Sequence, residues 1–160
     1  MWVPFDTLPD EARLWIYPAS RKLSEEEQTQ IATQLRQFVD QWEAHGQPLE
    51  ASFEVRHDRF IILAVNGAYR PASGCAIDAS VRVIQDIEEA FDLVLLDKMN
   101  VTFRTGGFLA HKSLTEFKQM AKTKAVNADT LVFNNLINTK GELDTDWEVP
   151  AADSWHSRFF

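Results

Sequence analysis

The residues equipped for chemistry gather around Pro71-Ala72-Ser73-Gly74-Cys75-Ala76-Ile77-Asp78, just after the most apolar strand-like run and at the opening of a helix that carries the single cysteine. A helix start presents unpaired backbone N–H groups and the positive end of the helix dipole, which favour an anion or a thiolate. Ser73 fits the N-cap, which puts Cys75 in the first turn of a helix predicted from about Ala76 to Phe91. With Ser73, Gly74 and Asp78 around it, Cys75 is the candidate nucleophile, its pKa lowered by the helix start and by Arg70, Arg82 or Arg104. The plainer reading is a capped structural turn with a small buried cysteine.

The elements that would position this site follow from periodicity. Arg13-Leu14-Trp15-Ile16-Tyr17 is apolar on both faces, as an interior strand must be, and Pro18 ends it. Ser24-Glu25-Glu26-Glu27 is a capping box; Ile31, Leu35, Phe38 and Trp42 form one stripe of the helix it opens, and Gly46 with Pro48 closes that helix. Ala51 to Arg56 alternates apolar and polar residues like an edge strand, His57-Asp58 is short enough for a hairpin turn, and Phe60 to Val65 is continuously apolar, hence interior. The next helix buries Ile77, Val81, Ile84, Ile87 and Phe91, and Asn100 to Arg104 alternates again as an edge strand.

This βαββαβ order is that of an α+β, ferredoxin-like unit, whose antiparallel sheet order 4-1-3-2 places strands one and three inside. One domain is expected over 1–160. It comprises an arm over 1–11 anchored by Trp2, Phe5 and Leu8, a βαββαβ core over 12–104, and a C-terminal extension over 105–160. The extension carries a helix from Leu114 to Lys122 capped by Ser113, another from Asn127 or Asp129 through Leu136, a turn at Asn138-Thr139-Lys140-Gly141, and an aromatic tail with Trp147, Trp155, Phe159 and Phe160. It would cover the second face of the sheet. In that layout strand three separates His57 from Cys75 by about 20 Å. The end of the first helix and the end of strand four share the Cys75 edge instead, so His45 is the candidate base, with Arg104 and His111 as further binding residues.

Composition removes several function classes. Sixteen Lys and Arg against 24 Asp and Glu leave a formal charge of −8, which opposes non-specific attraction to nucleic acid or an anionic membrane. Trp15, Tyr17 and Phe60 lie where an RNA-binding sheet would stack bases, but Arg59 to Val65 lacks the glycine and spaced aromatics of that motif. His45, His57, His111 and His156 are scattered, so neither a metal nor a cofactor is expected. One cysteine makes no internal disulfide, Met1 to Leu14 lacks a secretory pattern, and the longest apolar run falls far short of the roughly 20 residues of a membrane span; a cytoplasmic location is expected.

Taken together, Arg13-Leu14-Trp15-Ile16-Tyr17, Ala44-His45-Gly46-Gln47-Pro48-Leu49, Arg59 to Val65, Ser73 to Asp78 and Ser154-Trp155-His156-Ser157-Arg158-Phe159 make the chain resemble a family of small bacterial proteins that often carry the label "ABC transporter ATPase". The resemblance covers almost the whole length and implies no activity, cofactor or catalytic residue. The label itself fails on the residues. Such an ATPase needs a G-x-x-x-x-G-K-[ST] loop to hold phosphates, and the sequence has none. Phe91 to Asp97 looks like an apolar strand ending in a Mg-binding Asp, but Lys98 follows where a carboxylate belongs.

The expectation from sequence is a non-enzymatic binding or protein-interaction module, able to form a homodimer through an edge strand or the aromatic tail. The alternative is a thiol-dependent enzyme or a binder of small anionic ligands that uses Cys75 with His45.

Overall fold

The computed structural model describes residues 1–160, a mixed α and β chain with several antiparallel sheets. It divides into two units: Met1–Leu96 with Asn138–Gly141, and Asp97–Ile137 with Glu142–Phe160.

The first unit holds β1 (Arg13–Pro18), α1 (Glu25–Gln41), β2 (Glu43–Ala44), β3 (Gln47–Pro48), β4 (Ala51–Arg56), β5 (Phe60–Val65) and α2 (Gly74–Phe91). Its main sheet has the order β1-β5-β4, and Leu63 of β5 faces Trp15 on one side and Phe53 on the other. All six residues of β5 are buried, as its unbroken apolar sequence requires. On the helix side Tyr17, Ile61 and Leu63 pack with Ile31 and Leu35 of α1 and Ile84 and Ile87 of α2. On the opposite side Phe60, Ile62 and Ala64 are also sealed from water.

The β4–β5 loop spans His57 to Arg59 between the paired Arg56 and Phe60; His57 and Asp58 both have positive φ (55° and 56°), supplied without glycine, and Arg59 N donates to Arg56 O at 3.1 Å to close the turn. The N-terminal arm lies along β4: Val3 N donates to Ala51 O at 2.9 Å, Phe5 and Leu8 are buried, and the Arg56 guanidinium stands 5.7 Å from the Phe5 ring centre. A four-residue strap, Asn138–Gly141, covers the outer edge of β1. Leu14 N donates to Asn138 O and Lys140 N to Ala12 O, both at 2.9 Å.

The second unit holds β6 (Asn100–Thr105), β7 (Phe108–Ser113), α3 (Leu114–Lys122), β8 (Leu131–Phe133), the one-turn α4 (Glu142–Thr145) and β9 (Glu148–Pro150), followed by 3₁₀ turns at Ala151–Asp153 and Trp155–Phe159. Its antiparallel sheet has the order β7-β6-β8-β9. Val101, Phe103, Phe117, Val126, Val132 and Ala151 form its core, with Trp155 and Phe159 packed on it.

The four-stranded ferredoxin-like sheet expected from sequence is therefore not formed. Its first three strands take the order 1-3-2, but the fourth, Asn100–Thr105, belongs to the other sheet. The physical reason is local. Gly106, with φ of +58°, and Gly107 make a two-residue turn that lets β6 pair at once with β7, which closes a far shorter loop than a return to β1. The doubly apolar β1 is consequently an edge strand, protected by the strap. Two further expectations shift. The first helix ends at Gln41 with Trp42 as its C-cap, so Gly46 ends no helix. The helix expected over Asn127 to Leu136 is instead a turn, in which Asn127 Oδ1 accepts from Asp129 N at 2.7 Å, followed by β8; Leu131, Val132 and Phe133 suit a strand better than a helix.

Candidate functional site

Trp42 joins the end of α1 to the start of α2. Its indole Nε1 donates to Ala76 O at 2.8 Å, and its ring lies against Phe38 (5.0 Å between centres) and Trp15 (6.0 Å). Directly after it, β2 and β3 make a miniature hairpin. Its turn residues His45 and Gly46 both have positive φ, 52° and 75°, which a histidine tolerates and a glycine favours. At the start of α2, Ser73 Oγ accepts from Ala76 N at 3.2 Å, the N-cap read from sequence. The buried stripe of α2 is Ala76, Ser80, Val83, Ile84 and Ile87: Ile84 and Ile87 are buried as expected, while Ile77, Val81 and Phe91 are only half-buried. Cys75 falls outside that stripe and is exposed, which overturns the reading of a buried structural thiol.

These three segments enclose an open cavity of about 280 Å³. Phe38, Trp42, Ala76 and Ala79 give it an apolar wall; Gln41, Glu43, His45, Ser73 and Cys75 give it a polar one. The structure thus brings together three of the residues singled out from sequence: His45, Ser73 and Cys75. Gly74 is the first residue of α2 and Asp78 is an exposed residue one turn on; neither lines the cavity. Arg104 and His111 stand on the sheet of the second unit, since β6 does not join β1. There Arg104 holds Glu148 through two bonds of 2.8 and 3.1 Å, which raises the guanidinium pKa above its ordinary value, and His111 Nδ1 lies 3.0 Å from Thr102 Oγ1. Arg70 is engaged by Pro48 O.

No Lys or Arg lines the cavity, whereas the acidic residue Glu43 does. An anionic ligand would bind beside that acidic residue without a Lys or Arg to offset it. The arrangement suits a neutral or cationic group with an apolar body. What sequence reading missed was the wall: periodicity puts Phe38 and Trp42 on the core-facing stripe of the first helix, yet both also line the cavity, Trp42 as the C-cap just past the end of α1. No group of three or more His, Cys, Asp or Glu is placed to hold a metal ion, and no helix is long and apolar enough to cross a membrane.

The geometry also bears on phosphate binding. Gly106-Gly107-Phe108-Leu109-Ala110-His111-Lys112-Ser113 departs from the phosphate-loop pattern at His111, and the chain runs it as a hairpin turn and a strand paired to β6. Extended backbone directs successive N–H groups to opposite sides and cannot converge them on one anion. Asp97 closes no strand; its carboxylate accepts from Met99 N at 2.8 Å in a local turn. Compared with known proteins, the chain matches no family model, no curated protein and no solved structure.

Proposed function

We propose that the chain is a non-enzymatic binding module that uses the cavity between the end of α1, the β2–β3 hairpin and the start of α2 to grip a neutral or cationic, partly apolar group such as a side chain of a protein partner. The observation that carries this reading is the lining: an aromatic and alanine wall beside the acidic residue Glu43, with no Lys or Arg. A concave, mostly apolar surface with a few polar groups at its rim is the usual form of a small binding site.

Cys75 is a built-in reporter. Thiol–disulfide exchange of the native protein is measured with three small disulfides that differ only in their tail: aromatic and neutral, ammonium, or carboxylate. Capture by Cys75 favours the aromatic and ammonium probes over the carboxylate by tenfold or more, on the order expected for one charge–charge contact near a protein surface. Glu43→Gln narrows the gap. Equal capture of all three probes, in proportion to their intrinsic exchange rates, removes the reading.

A second reading rests on a specific juxtaposition, His45 and Cys75 both lining this cavity. In it the imidazole withdraws the thiol proton and Cys75 acts as a nucleophile. Alkylation rates of Cys75 in the wild type and in His45→Ala decide: superimposable rate–pH curves leave the histidine no part in activating the thiol.

A further inference from the structure

His156 is buried without being satisfied. The side chain has no solvent-accessible surface, and its Nε2 has no hydrogen-bond partner. It sits in the closing 3₁₀ turn capped by Ser154, whose Oγ accepts from His156 N at 3.1 Å, donates to Ala151 O at 3.3 Å and lies 2.6 Å from Nδ1. Ser154 Oγ therefore engages Nδ1 whichever ring nitrogen carries the proton, and Nε2 is the one left without a partner. Around the imidazole are rings: Trp155 stacked at 3.8 Å and 27°, and Phe117 edge-on at 6.1 Å. Phe159 and Phe160 meet the same Phe117 at 5.6 and 6.1 Å, so one phenylalanine of α3 is the seat of the whole turn.

A neutral imidazole tolerates such a place better than an imidazolium, which must carry a proton on both nitrogens. The Nε2–H of the charged ring would have no acceptor, and its charge would lie among aromatic carbons. The nearby charge opposes it further. Arg158, whose guanidinium stands 5.4 Å from the Trp155 ring centre, is the cation whose field acts on His156. Asp153 on the preceding turn, and Glu116 and Lys118 on either side of Phe117 on α3, are all exposed to solvent, so no buried carboxylate compensates.

We propose that residues 154–160 form an acid-released latch: protonation of His156 unseats the turn from Phe117 and bares the aromatic core of this unit. Burial first and Arg158 second hold the docked imidazole pKa down at about 4, against about 6.5 for the released one. Linkage then favours release by up to about 300-fold once both states are protonated, and by about 75-fold near pH 4.5.

Hydrogen exchange of the full chain, corrected for the intrinsic pH dependence of the chemistry, tests this at neutral pH and near pH 4.5. Peptides spanning 151–160 lose protection at the lower pH by roughly 50- to 100-fold, while peptides of β5 keep theirs. In His156→Phe, which keeps a ring but has no proton to gain, the difference between the two pH values vanishes; His156→Gln gives the same result should the larger ring disturb the turn. Wild-type protection that is equal at both pH values overturns the proposal, as does a variant that loses protection as the wild type does. Independently of any variant, an NMR titration of the His156 ring in the native protein with a midpoint near about 6.5, that of a free imidazole, also overturns it.

Discussion

Ser52 and Tyr17 show how a single polar atom sets a local energetic preference. Ser52 is fully buried on β4 and its Oγ has no partner, so its hydroxyl has lost water without gaining a protein bond. Ser52→Ala is therefore expected to leave stability unchanged or raise it by about 1 kcal/mol, read as the urea midpoint; a clear fall in the midpoint would show that the hydroxyl is bonded in solution. Tyr17 is buried, and that burial raises its pKa above 10, partly opposed by its hydrogen bond with Ser80. The unfolded chain ionises its tyrosine first, so this contribution is fully present below about pH 10 and is lost as pH rises through the higher folded-state value. Tyr17→Phe flattens the alkaline limb of the stability profile; an unchanged limb would place the phenol in contact with water.

At the scale of elements, what was legible in the sequence was whatever is decided within one turn of chain. Ser24, Ser73 and Ser113 cap α1, α2 and α3 through bonds to residues three positions on, and such short-range signals survive any tertiary context. Sheet membership is not local. Nothing within Asn100–Thr105 states whether it pairs with β1 or with β7, and the deciding signal, Gly106-Gly107, lay beyond the end of the strand. Ser73 and Cys75 could be placed at the start of α2 because a local cap fixes it, and His45 joins them because the first helix and the strands next to it did fall as expected, although the helix ends sooner than Gly46; Arg104 and His111 could not be placed, because their position depended on that pairing. The α1 capping box also makes a quantitative expectation. Bonding to Arg21 first, and to the Ser24 backbone next, lowers the Glu27 pKa to about 2. Its support for the helix is therefore present above the ordinary carboxylate range and lost as pH falls from about 4.5 toward 2. Ser24→Ala is expected to cost about 1 kcal/mol at neutral pH, and Glu27→Gln to remove part of the acid dependence between those values, both measured by denaturant titration.

For the whole molecule the telling feature is that the chain does not finish one unit before starting the next: Asn138–Gly141 returns to the first unit from within the second. The return is a backbone strap as well as a turn. It pairs with Ala12 and Leu14, and Gly141 N donates to Asp10 O at 2.9 Å, while Lys140 Nζ donates to Leu8 O at 2.7 Å. Turn composition made the bend at Asn138-Thr139-Lys140-Gly141 readable in the sequence, but its partner lies more than a hundred residues away, and no local pattern encodes that. Because β1 is an edge strand, the strap satisfies groups that would otherwise be open to other chains. Close approach is what requires glycine here: a Cβ at Gly141 would lie 3.1 Å from Asp10 Cβ and 3.4 Å from Asp10 O. Gly141→Val should therefore lift the strap, costing about 1 to 3 kcal/mol, and hydrogen exchange should quicken at the Leu14 amide and along residues 8–12 while β5 stays protected. Gly67→Ala is the control, since a Cβ there meets nothing within 4 Å. If Gly141→Val leaves exchange at Leu14 as slow as in the wild type, the strap is not what closes this edge, and the protection of β1 must be sought in the sheet itself.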